Sequence, residues 1–132
     1  MKEIVIYGGT FDPPTTAHEH IIRATLADTR YDELWIMPSG QRLDKPDMAS
    51  NQQRLAMAAI MRCEAFGDDE RLRISDIEMN LPQPTQTTVT DEELRTRYPE
   101  LAFWYLFGAD AYQSMPTWDR GRDLQEQLAM II

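Results

Sequence analysis

Cysteine is nearly missing from this chain of 132 residues: Cys63 is the only one, so no intramolecular disulfide can form. It falls in an apolar helical pattern and is expected as a buried, inert thiol rather than a nucleophile. With only two histidines beside it, the chain lacks the cluster that a structural zinc site would need. Basic residues are also scarce, 13 Lys and Arg against 22 Asp and Glu. The resulting net charge of −9 argues against nucleic acid or an anionic membrane as partner. A locally positive pocket for a small anion is compatible with that balance. No apolar run approaches the roughly 18 residues that span a bilayer, and no charged-then-apolar leader opens the sequence. A cytoplasmic protein is the expectation.

What is present is the composition of an ordinary soluble domain, 42% hydrophobic and 27% charged. The length suits one domain with one core. The most informative stretch is Gly8-Gly9-Thr10-Phe11-Asp12-Pro13-Pro14-Thr15-Thr16-Ala17-His18. It follows the apolar run Ile4-Val5-Ile6-Tyr7, a strand by pattern, and leads into a helical pattern from Glu19. A glycine turn between a buried strand and a helix N-terminus is a ready anion site, because the first helical turn has unpaired N–H groups and the positive end of the dipole. Thr16 with Glu19 fits a capping box, which puts His18 in the first turn, where a ring N–H could meet a phosphate. The P-loop spacing and its lysine are absent, as is the third glycine of the dinucleotide fingerprint. Spacing alone also fits an ordinary strand–turn–helix corner with His18 in solvent.

Further along, residues 16–29 read as a helix with Ile21, Ile22, Thr25 and Leu26 on its apolar side. Leu34-Trp35-Ile36-Met37 is a second buried strand, ended by Pro38 and Gly40. The polar loop after it carries Arg42 and Lys45 at a strand's carboxyl end, where open α/β sheets bind ligands, although solvated side chains fit equally. Ser50 with Gln53 caps a helix whose apolar face holds Leu55, Met57, Ala58, Met61 and Ala65, and Gly67 ends it. Residues 71–76 alternate as a third strand, residues 80–90 form an irregular loop, and Asp91 to Arg97 reads as a short helix. Leu101 to Phe107 is a continuous apolar run, as in a strand covered on both faces. Gly108-Ala109-Asp110 forms a second strand-to-helix corner, helical segments follow to Gln127, and Leu128 to Ile132 reads as a last strand. The order predicts an α/β fold: a Rossmann-like, doubly wound, parallel five-stranded sheet with helices on both faces and right-handed crossovers.

The opening stretch resembles the nucleotidyltransferase superfamily signature, Gly-x-Phe-Asp-Pro followed by [His/Thr]-x-Gly-His. Over residues 2 to 132 the chain is similar to the bacterial nicotinate-mononucleotide adenylyltransferase family. Pro38-Ser39-Gly40 with Lys45 resembles that family's Pro-Thr-Gly-x4-Lys segment, and Arg54-Leu55-Ala56-Met57 its Arg-Leu-x-Met helix. Thr85-Gln86-Thr87, with Leu94 and Tyr98-Pro99, resembles its Ser/Thr-Tyr-Thr loop and following helix. Phe107-Gly108-Ala109-Asp110 with Trp118 resembles its Gly-Ala-Asp…Trp stretch. Thr15, Ala17, Asp44 and Gln86 depart from the family's usual residues. The family's Ser/Thr-rich segment ending in arginine has no counterpart before Ile132, so a single domain over 1–132 without that segment is expected.

The resemblance implies transfer of the adenylyl group of ATP to the phosphate of nicotinic acid (or nicotinamide) mononucleotide, releasing pyrophosphate, in NAD biosynthesis. Gly8, Gly9, Thr10 and Phe11 would form the ATP side, with Thr15 and His18 on the phosphates and His18 stabilising charge as pyrophosphate leaves. Lys45 would reach the acceptor's phosphate or the α-phosphate. Thr85, Thr87 and Trp118 would hold the pyridine ring, and Gly108 and Asp110 would meet ATP and acceptor at the second corner. Mg²⁺ would arrive with ATP, with no metal ligands of the protein's own. Partners are then ATP and the mononucleotide, without nucleic acid or membrane, and self-association into a homo-oligomer stays open. Two alternatives are adenylyl or cytidylyl transfer to another phosphorylated acceptor such as phosphopantetheine, and a nucleotide-binding module without turnover.

Overall fold

A computed structural model of the chain describes residues 2–40, 47–81, 87–106 and 130–131. Among the described residues, five strands form one sheet in the order β3-β2-β1-β4-β5. They are β1 (Lys2–Gly9), β2 (Glu33–Pro38), β3 (Leu72–Ile74), β4 (Leu101–Leu106) and β5 (Met130–Ile131). Every neighbouring pair is parallel, with Ile6 opposite Trp35 on one side and Tyr105 on the other. The strands read as near-continuous apolar runs because helices cover both faces of the sheet.

Period-two alternation divides the core in two. Val5, Tyr7, Leu34, Ile36, Leu72 and Leu106 pack on one face with Ile22, Ala58 and Met61. Those last three come from α1 (Thr16–Ala27) and α2 (Asn51–Phe66). Ile4, Ile6, Trp35, Met37, Phe103 and Tyr105 pack on the other face. They meet Leu94 of α3 (Thr87–Arg97) and Ile77, just before a 3₁₀ turn at Glu78–Asn80.

The parallel α/β architecture agrees with the sequence reading, and five local details correct it. The helix expected from Asp91 begins at Thr87, and the 3₁₀ turn at Glu78–Asn80 lies where the sequence reading placed no element. The third strand is shorter than expected, Leu72–Ile74. Ile21, expected on the buried side of α1, is 40% exposed, while Ile22 and Thr25 face the sheet. Cys63 is exposed rather than buried, because α2 turns its Arg54–Ala58–Met61 stripe inward and leaves Cys63 outside it.

The strand order puts the switch point between β1 and β4. From β1 the chain winds outward through β2 to β3, then returns to β4 on the other side. Open parallel sheets bind ligands in the crevice outside the carboxyl ends of the strands at such a point. Gly8, Gly9 and Leu106 end the two strands there.

Candidate functional site

The loop from β1 to α1 is held by two side chains, one of them deeply buried. Arg54 has no exposed surface, yet it lies in a stripe that otherwise packs apolar groups. Its guanidinium donates to the carbonyl oxygens of Ser39 at 2.6 Å, Ala49 at 3.1 Å and Thr10 at 3.2 Å, and to Asn51 Oδ1 at 2.7 Å. One side chain thereby ties the loop after β1, the loop after β2 and the start of α2. Buried charge is tolerated when its donors are satisfied, and four acceptors do that here. Burial pulls the guanidinium below its ordinary value, and nearby Asp12 opposes the shift. Asp12 Oδ2 adds a second tie by accepting from Ala49 N at 2.9 Å. A main-chain bond from Ser39 N to Gly9 O, 2.8 Å, completes the join.

Phe11 sits inside this loop with φ 50 and 1% exposure. A left-handed backbone costs an L-residue roughly 1–2 kcal/mol, which burial of the ring offsets. Its ring meets Tyr7 edge-on at 5.3 Å and lies 4.8 Å from the ring of His18. Phe11 therefore supports His18 from behind, with almost no surface of its own to offer a ligand.

His18 is the third residue of α1, and its partner corrects the expected cap. Thr15, not Thr16, precedes the helix with extended backbone, and His18 takes the role expected of Glu19. Thr15 N donates to His18 Nδ1 at 2.8 Å. A ring nitrogen that accepts cannot carry the proton, so the neutral ring holds its hydrogen on Nε2. Burial also lowers the pKa from the ordinary 6.5, which keeps the ring neutral at pH 7. The result is a fixed N–H donor at the positive end of α1, held on one side by Thr15 and backed by Phe11 and Tyr7.

Gly8 and Gly9 leave room above the strand end. A Cβ at Gly8 would meet nothing nearer than Met37 O at 4.0 Å, and one at Gly9 would reach only Phe11, at 3.4 Å. Gly8 also borders a small cavity of about 50 Å³ on the α3 side of the sheet. Ile6, Met37 and Leu106 give it apolar walls, and Glu78, Thr90 and Tyr105 give it polar ones.

Of the residues singled out by sequence, Gly8, Gly9, Thr10, Phe11, Thr15 and His18 come together at this corner. Thr87 opens α3 on the other face of the sheet. Lys45, Thr85, Gly108, Asp110 and Trp118 lie outside the described residues, as do Arg42, Asp44 and Gln86. Sequence reasoning named Arg54 within the Arg-Leu-x-Met helix but gave its side chain no role, although an arginine four residues before Ala58 and seven before Met61 on an apolar stripe is a legible signal. It also missed the polar cluster of Glu78, Thr90, Asp91 and Tyr105, whose bonded pairs lie 12 and 14 residues apart and carry no motif. Among the described residues, no group of three or more His, Cys, Asp or Glu is placed to hold a metal ion. Among them, too, no helix is long and apolar enough to cross a membrane.

A family model described as cytidylyltransferase-like matches residues 6–132. Two curated relatives, from Albidiferax ferrireducens and Shouchella clausii, each carry the name "Probable nicotinate-nucleotide adenylyltransferase" and are each 33% identical to this chain. The matches cover 100% of this chain and 64% and 67% of those relatives, so the chain spans about two thirds of their length. Among solved structures, the Plasmodium falciparum nicotinic acid mononucleotide adenylyltransferase complexed with NaAD superimposes with a TM-score of 0.86 at 27% identity. That match covers 100% of this chain and 64% of the other.

Proposed function

The chain belongs to the cytidylyltransferase-like family, within the nucleotidyltransferase superfamily and alongside the nicotinate-nucleotide adenylyltransferases, and from that premise we propose that it makes a pyridine dinucleotide. In this reading an oxygen of the mononucleotide's 5′-phosphate attacks the α-phosphorus of ATP. The bond from that phosphorus to the bridging oxygen breaks, and its electron pair leaves on pyrophosphate. The attacking phosphate is already anionic, so no general base is needed. Rate comes from alignment and from neutralising charge on the transferring group.

The observation that carries the reading is the His18 donor beside the open Gly8–Gly9 strand end. With Nδ1 occupied by Thr15 N, the ring can offer only Nε2–H to an anion. That hydrogen, together with the first-turn N–H groups of α1, would meet the oxygen on which negative charge grows as pyrophosphate departs. Gly8 and Gly9 would let phosphate approach the backbone, and Thr10 and Phe11 would shape that approach. Thr15 would both fix His18 and offer its hydroxyl. Lys45 is assigned to the acceptor or α-phosphate, Thr85, Thr87 and Trp118 to the pyridine ring, and Gly108 and Asp110 to the join between substrates. Mg²⁺ enters as part of the substrate, held mostly by ATP oxygens and water, and it would neutralise the pyrophosphate.

The test is pyrophosphate release from ATP and Mg²⁺ with three acceptors offered separately. We expect release with nicotinic acid mononucleotide or its amide and none with phosphopantetheine. Release with phosphopantetheine alone overturns the acceptor assignment. ATP binding without release from any acceptor identifies a binding module instead.

A further inference from the structure

The sheet face opposite His18 carries buried polar chemistry of its own. Thr90 Oγ1 donates to Glu78 Oε1 at 3.0 Å, joining α3 to the 3₁₀ turn. One residue on, Asp91 Oδ1 accepts from Tyr105 OH at 2.5 Å, joining α3 to β4, and its other oxygen pairs with Arg95 at 2.9 Å. Thr90, Asp91 and Tyr105 are all buried. Burial raises the carboxyl pKa of Glu78 and the phenol pKa of Tyr105, so neither group ionises readily in place. Glu78, Thr90 and Tyr105 line the cavity whose facing wall is Gly8.

Apolar packing would hold α3 to the sheet without the cost of burying one carboxyl and half-burying another. What hydrogen bonds add is direction: they fix how far a helix slides and how it is rotated, which apolar side chains leave loose. Here they act on Thr90 and Asp91, the fourth and fifth residues of α3, so the constraint falls on its N-terminal turn. That turn lies beside the switch point, and the geometry of the reaction says which substrate it meets. Attacking and leaving oxygens sit roughly in line across the α-phosphorus. With pyrophosphate held over the α1 side by His18, the acceptor must come from the α3 side.

We propose that the Thr90–Glu78 and Asp91–Tyr105 pairs are positioning pairs that seat the acceptor nucleotide by holding the first turn of α3 against the switch point. The inference rests on the adenylyl-transfer reading above. It is tested by steady-state kinetics of pyrophosphate release for Thr90→Val, Tyr105→Phe and the conservative Thr90→Ser, varying each substrate in turn. Loss of one buried hydrogen bond to a carboxyl should raise the acceptor KM by about tenfold in the first two variants, with the ATP KM unchanged. Thr90→Ser restores the hydroxyl and should behave as wild type. An unchanged acceptor KM overturns this inference alone, as does a rise of both KM values together. Wild-type protein that neither binds nor turns over any pyridine mononucleotide overturns the inference and the reading with it.

Discussion

A methyl group added at Gly8 would find open space, since its nearest neighbour is a carbonyl oxygen at 4.0 Å. Among the described glycines only Gly67 has a left-handed φ, so backbone conformation does not demand glycine at Gly8 or Gly9 either. The remaining reason for the missing side chain is something that approaches from outside. Gly8→Ala should therefore leave the melting temperature unchanged or slightly higher, because glycine in a strand costs about 0.5–1 kcal/mol relative to alanine. Pyrophosphate release should fall in the same variant by about tenfold or more, since a misplaced reacting group is expensive. His18→Ala should lower kcat by about 10²–10³, the usual cost of one aimed donor, and should destabilise α1 by only about 1 kcal/mol through the lost Thr15 contact. Full activity in Gly8→Ala would mean that no phosphate passes over that strand end.

At the scale of elements, strands and helices were largely legible because apolar period and cap residues agree along most of the chain. The boundaries that failed did so for local reasons. α3 starts at Thr87 because Thr90 and Asp91 have partners on the 3₁₀ turn and β4, which pull polar residues into the helix despite their poor intrinsic preference for it. Cys63 was misread because buried and exposed sides of α2 follow Arg54, a charged residue that a search for apolar periodicity discards. The α1 side of the site was legible as a motif and Thr87 on the α3 side through the family resemblance, whereas the pairs that hold α3 in place join residues 12 and 14 apart and were not legible. The half-buried Glu78 gives the 3₁₀ turn a pH signature. Its carboxyl binds a proton more tightly in the folded chain than its ordinary value of 4.5. The stability it contributes is thus full below that value and is lost as pH rises through the raised one. Glu78→Gln keeps an acceptor for Thr90 and should melt above wild type at neutral pH, with the gap closing below pH 4.5. A gap that stays constant with pH would show that Glu78 is ionised in the fold without penalty.

The whole molecule brings these parts together through its strand order. An acidic protein of net charge −9 can still hold a polyphosphate where helix N–H groups, a neutral imidazole donor and bare strand ends converge at one crevice. No pattern within one segment predicts that β1 lies between β2 and β4; parallel pairing of distant strands creates the switch point, and with it two faces for two substrates. The central claim is adenylyl transfer across that point. It is tested most directly by following label from ATP carrying ³²P at the α-position, with Mg²⁺ and nicotinic acid mononucleotide. We predict that label appears in a pyridine–adenine dinucleotide, one for each pyrophosphate released. Label that stays in ATP, or that emerges only as AMP, would contradict the account.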